Sequence, residues 1–252
     1  MIIRRPRSFW TGVVGLLIFF IVIAFWVVPW QRGPLALHGA VRLRSGITRR
    51  ATYIERVDHL FNQLTKYSAH KLEPIIAQAK RRKGERCALT VTVKRPDDAA
   101  EIAAVCLSNG ASAQQERSTV RIAGDLGGLG EAALQDANQL FHGQDQEIQA
   151  RYDMSGKRVT YYWWLVFDAL QRQCVRRRDS AGASFAESVK TKAIEPAYNL
   201  HGIIPLPVSR VRSQVLLLLA FYVGYTIWYG VSIMCLFAGL GITLTETEKS
   251  EA

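Results

Sequence analysis

The stretch Gly124-Asp125-Leu126-Gly127-Gly128-Leu129-Gly130 comes closest to a chemical motif. Within it, Gly128-x-Gly130-x-x-Ala133 fits the dinucleotide fingerprint, between an expected strand and an expected helix. There, backbone N–H groups at a helix start can hold a pyrophosphate. Three observations weigh against that chemistry. Asp125 and Glu131 would set negative charge beside the phosphates. No strand ending in an acid follows ~20 residues on. The expected sheet is too small for the fold that uses the motif. The expectation is a flexible turn with close packing. A membrane-anchored nucleotide-binding enzyme using the Gly124–Gly130 loop is the weakest of three functional readings.

The histidines, His38, His59, His70, His142 and His201, show no metal-ligand spacing with one another or with a cysteine. His59 and His70 fit one solvated helix face. Cys87, Cys106 and Cys174 lie in the middle of the chain and Cys235 near its end, so the middle holds one disulfide at most. No nucleophile elbow, Cys-x-x-Cys or zinc-protease motif occurs. No catalytic residue, metal or cofactor is expected.

The aromatic run Tyr161-Tyr162-Trp163-Trp164 is followed by Arg172, Arg176, Arg177 and Arg178. It supports two functional readings. One is a helix on the membrane surface, with aromatics among headgroups and guanidiniums on anionic lipid phosphates. The other is a docking face for a partner, where Trp, Tyr and Arg are the usual anchors. Against both stands a helix of the domain's own core with a wet basic end. Nucleic acid is not an expected partner.

The elements that carry these residues are set by where charge is missing. The chain of 252 residues has 32 Lys+Arg, 21 Asp+Glu and a net charge of +11, yet no charge occurs from Ser8 to Gln31 or from Ser213 to Thr245. Crossing ~30 Å of hydrocarbon takes ~20 apolar residues. Residues 9–30 read as a first transmembrane helix with Trp10, Trp26 and Trp30 toward its ends. Its apolar run exceeds a signal peptide's and lacks a small-residue cleavage site. Residues 213–242 read as a second. These composition shifts exclude a freely soluble protein, a disordered one and a disulfide-stapled mini-protein.

The second span is unlike the first. It carries Ala220, Gly224, Gly230, Ser232, Ala238 and Gly239 among Tyr225, Trp228 and Tyr229. In lipid, helices associate through close packing at small residues and through hydrogen bonds. This set is the expected helix–helix packing surface.

A basic tail (1–8) precedes the first span and an acidic tail (243–252) follows the second. Arg4, Arg5 and Arg7 favour cytoplasmic termini, because long loops translocate largely regardless of charge. The expected location is a bacterial plasma (inner) membrane, with the middle domain outside, in the periplasm.

That domain, residues 31–210, is expected to be α-rich α+β with a two- or three-stranded sheet. One helix is expected from about Gly46 to Ser68, continuing with a kink at Pro74 to the Lys80–Lys83 cluster. Leu89, Val91 and Val93 alternate with threonines as a strand. Pro96-Asp97-Asp98 opens a helix, since Pro suits the first turn and acids favour the positive dipole end. Thr119–Ala123 is a second strand, expected parallel to the first. Helices are expected at Glu131–Phe141, about Arg158–Arg178 and Ser184–Asn199.

The functional expectation is a non-catalytic accessory or scaffolding subunit of a larger membrane complex, with other integral membrane subunits as partners. A homo-oligomeric transport or channel protomer is the alternative, although neither span carries an ionisable residue for an ion path.

Overall fold

The computed structural model describes residues 3–27, 40–42, 48–50, 53–69 and 72–242. In chain order, α1 is Pro6–Val27, β1 Ala40–Arg42, β2 Thr48–Arg50, α2 Tyr53–Ala69 and α3 Glu73–Arg81. There follow β3 Arg86–Thr92, α4 Pro96–Ser108, β4 Ser112–Glu116, β5 Thr119–Asp125 and α5 Leu126–Phe141. Next come α6 Asp145–Tyr152, α7 Gly156–Arg176, α8 Ser180–Val189, a π turn Lys190–Ile194 and α9 Glu195–Asn199. A 3-10 turn, Val208–Arg210, leads into α10, Arg212–Leu240.

The chain divides into two compact units, 1–61 with 207–252 and 62–206. The division falls within α2, so β1, β2 and the first turns of α2 group with the two long apolar helices. His38, His70, Trp30, the acidic tail and part of the basic one lie outside the described residues.

In the first unit, α1 and α10 are both long and apolar enough to cross a membrane. Pro6 starts α1 where its missing N–H costs nothing. Gly241 ends α10 in the left-handed conformation, at φ 76°. Its N–H bonds Ala238 O and that of Ile242 bonds Phe237 O, a pairing that satisfies the last carbonyls. The 22 residues of α1 give a length of about 33 Å and the 29 of α10 about 43 Å.

The helix expected from Gly46 to Lys83 is three elements. Thr48–Arg50 pairs with Ala40–Arg42 as an antiparallel ladder, with Ala40 opposite Arg50. Thr48-Arg49-Arg50 offers no apolar position for a helix to bury. Pro74 does not kink a longer helix; it sits in the first turn of α3, where proline is tolerated.

In the second unit, β3, β5 and β4 form an antiparallel sheet in that order. This corrects the expected parallel pair. Leu89 lies opposite Ile122 across β3 and β5, and Ala113 lies opposite the same Ile122 across β4 and β5. Helix α4 does connect two strands that run the same way, but they are β3 and β4, and β5 enters between them. A two-residue turn after Glu116, with Arg117 left-handed at φ 52°, makes that return. The core forms where α4, α5, α7 and α8 pack together over Leu89, Val91, Val120 and Ile122. Trp163, Tyr162, Phe167 and Phe185 are its largest members. The expected Ser184–Asn199 helix is interrupted by the π turn just before Pro196, whose ring lacks an N–H and crowds the preceding turn.

Candidate functional site

Helices α1 and α10 pack antiparallel, and glycine sets their distance. A Cβ on Gly12 would stand 2.6 Å from Leu236 N and 2.7 Å from Ser232 O. One on Gly15 would stand 2.5 Å from Ser232 Oγ, and one on Gly239 2.5 Å from Phe9 Cα. Further along, the Phe19 ring meets Tyr229 at 5.2 Å and Tyr225 at 6.1 Å between centroids. At the other end, Arg4 and Arg5 N–H groups donate to Gly239 O at 2.9 and 3.1 Å. Arginines at a helix C-terminus also complement its dipole. Ser232 Oγ donates to Trp228 O at 2.8 Å, so this buried hydroxyl is satisfied within its own helix.

The packing surface expected on the second span therefore splits in two. Ser232 and Gly239 are buried against α1, with Ala238 half-buried beside them. Tyr225 and Tyr229 touch Phe19. Ala220, Gly224 and Gly230 are exposed, and a Cβ on Gly224 or Gly230 would meet nothing within 4 Å. With Ile227 and Val231, Ala220 recurs at helical spacing on one side of α10, largely opposite the side that meets α1. Gly224 and Trp228 border both sides, lining a hollow with Phe19, Val22 and Ile23 of α1. Gly12 and Gly15 are the partners that sequence reasoning missed. Their signal was small residues three apart in an otherwise bulky span.

In the second unit, the aromatic run on α7 does not form one surface. Trp163 is 0% exposed and Tyr162 1%, so neither reaches a headgroup or a partner. Helix α7 buries Val159, Tyr162, Trp163, Val166 and Phe167 on one side, and these two aromatics fall on it. Trp164 is half-buried and its indole N–H donates to Glu195 at 2.9 Å. Tyr161 is exposed. Arg172 pairs with Asp168 at 2.7 Å, and Arg176, Arg177 and Arg178 are exposed at the end of the helix. Of the expected contact set, Tyr161 and the terminal arginines remain on the surface.

Tyr162 donates to Glu101 at 2.6 Å and accepts from Arg158 at 2.9 Å. Burial, then the bond to Glu101, pushes its phenol up. Trp163 donates to Asp136 at 2.7 Å. Asp136, on α5, also accepts from Tyr152 at 2.8 Å and pairs with Arg151. Burial pushes its carboxyl up, against the hydrogen bonds from Trp163 and Tyr152. Both oxygens are engaged, so this network joins α5, α6 and α7 and holds no spare acid or base. Its signal in the sequence was an acid within the apolar stripe of Ala133, Leu134, Ala137 and Leu140.

The glycine motif is helix, not turn. Helix α5 begins at Leu126, and Asp125 caps it. Asp125 Oδ1 accepts from Gly127 N at 3.1 Å and Gly84 N at 2.8 Å. Leu126 N–H donates to Glu85 O and Gly127 N–H to Arg82 O. The carboxylate thus stands where a phosphate would, and the Leu126 and Gly127 N–H groups are taken. Gly127 is there for close approach: its Cβ would lie 2.5 Å from Lys83 N.

Cys87, Cys106 and Cys174 are all thiols. His201 meets Asp145 at 2.6 Å. Among the described residues, no group of three or more His, Cys, Asp or Glu could hold a metal ion. No family model, curated protein or solved structure matches this chain.

Proposed function

We propose that this chain is a non-catalytic, membrane-anchored subunit that helps to assemble a larger complex of integral membrane proteins. The observation that carries the reading is the exposed side of α10. A helix this long and apolar all round is stable only in lipid or inside protein, because each large aliphatic side chain left in water forfeits ~1.5–3 kcal/mol. Leu216, Leu217, Ile227, Val231 and Met234 are all exposed. In lipid, α10 uses one side for α1, through Ser232 and Gly239. The Ala220–Gly224 side lets a second backbone come close, which is how helices gain contact where the hydrophobic effect is absent. Another integral membrane chain is the occupant this side fits. The arginines at positions 4, 5 and 7 favour cytoplasmic termini and put residues 62–206 on the far side.

Blue-native electrophoresis of gently solubilised membranes tests the proposal. A discrete band well above the mass of the chain, containing other membrane proteins, is the expected result. A chain running alone near its own mass contradicts it.

A further inference from the structure

Helix α1 ends at Val27, while α10 runs on past it toward Arg212, and there α2 takes over as its neighbour. Between α2 and α10 lies a groove of about 380 Å³, walled by Val57, Phe61, Val215, Leu218, Leu219 and Tyr222 among others. That is within the ~300–1,000 Å³ of ordinary ligand pockets. Val57 and Phe61 are successive turns of one side of α2, and Val215, Leu219 and Tyr222 of one side of α10. Arg212 continues the α10 stripe one turn toward the helix start, and Arg210 precedes it; both are exposed. Neither the 3-10 turn nor the first turn of α10 holds an acid.

We propose that this groove binds one anionic phospholipid, with an acyl chain along the α2–α10 walls and the phosphate against Arg210 and Arg212. The inference rests on the membrane reading given above. The apolar walls match a hydrocarbon chain and offer it almost no polar partner. The two guanidiniums at one end match a phosphate by charge and by hydrogen-bond geometry. The position also fits. If the Arg4–Gly239 contact marks one headgroup level, ~20 residues back along α10 reaches the opposite hydrocarbon boundary. That boundary falls near Leu219, in the groove wall, with the arginines beyond it among the headgroups.

The test is native mass spectrometry of the full chain in mild detergent, titrated with phosphatidylglycerol or phosphatidylcholine. The expected result is a one-to-one adduct that favours phosphatidylglycerol. Val57→Trp, which fills the groove, removes the adduct with both lipids. Arg212→Gln lowers phosphatidylglycerol retention about fivefold and leaves phosphatidylcholine unchanged. Leu217→Trp, on a different side of α10, behaves as wild type. Equal retention of the two lipids, an adduct that survives Val57→Trp, or a second copy of the chain in place of lipid overturns the proposal. Alkaline carbonate washing of the source membranes separates the two readings. Release of the chain defeats the membrane assignment itself; a chain that stays embedded while Val57→Trp still binds lipid defeats only the groove.

Discussion

Gly12 of α1 lies against the backbone of Ser232 in α10, and a Cβ at position 12 would stand 2.7 Å from the Ser232 carbonyl oxygen. The contact is backbone to backbone, so no side-chain rotation relieves it. Gly12→Val should therefore weaken the helix pair by about 1–3 kcal/mol, the usual cost of overpacking. Gly230→Ala, where a Cβ meets nothing within 4 Å, should leave it within about 0.5 kcal/mol. Thermal unfolding in micelles, followed by circular dichroism, compares the two. Equal melting of Gly12→Val and wild type would contradict the packing.

Asp136 is the second point of leverage. Asp136→Ala leaves the Trp163 indole N–H and the Tyr152 hydroxyl without this acceptor and Arg151 without its carboxylate. The expected loss is about 3–5 kcal/mol, as for breaking a buried pair. Asp136→Asn keeps one accepting oxygen and should lose less. Urea unfolding of the full chain, read by tryptophan fluorescence, ranks the three proteins; Asp136→Ala at wild-type stability would count against the network.

The glycine motif should behave as packing. Gly127→Ala drives a methyl into the α3 end, at Ala79 O and Lys83 N, and should destabilise by about 1–3 kcal/mol. In an open helix the same change would stabilise by up to about 1 kcal/mol. Nucleotides should leave the melting temperature of wild type unchanged, since Asp125 already fills the anion position. A nucleotide-dependent rise that Gly127→Ala abolishes would reverse this reading.

Alkaline pH probes burial at α4. Burial pushes the Cys106 thiol from 9.0 up to about 12. The folded state thus keeps its proton where the unfolded chain has lost it. The stabilising contribution is complete below pH 9 and drains away as pH climbs toward 12. Three units correspond to about 4 kcal/mol over that window. Cys106→Ala should make the fall in urea midpoint between pH 9 and 10.5 shallower than in wild type. Parallel slopes would refute the assignment.

The sequence makes some of this plain and hides the rest for physical reasons. Both apolar helices are legible because charge is absent from them, and α4 because Pro96, Asp97 and Asp98 mark its start. Strand β4 is not, since Ser112-Ala113-Gln114-Gln115-Glu116 carries no apolar alternation; it is a strand because a hairpin turn returns it to β5. Without it, the crossover appeared to join β3 to β5, and the sheet direction came out parallel. In α10, residue size gives the packing surface but not its occupant. Ser232 and Gly239 proved to meet α1, Gly224 to border it, and Ala220 to lie away from it. On α7, the run Tyr161–Trp164 covers more than one turn, so it cannot lie on one side of a helix, and Tyr162 and Trp163 fall into the core.

The exposed side of α10 is proposed to hold another membrane protein. Photo-crosslinking in intact membranes tests it most directly, with a benzophenone amino acid placed at position 220 and, for comparison, at position 226, which is exposed on another side of the helix. The expected result is a covalent adduct between position 220 and a second, different integral membrane chain, much weaker from position 226. Equal labelling from both positions, or labelling of lipid alone, would contradict it.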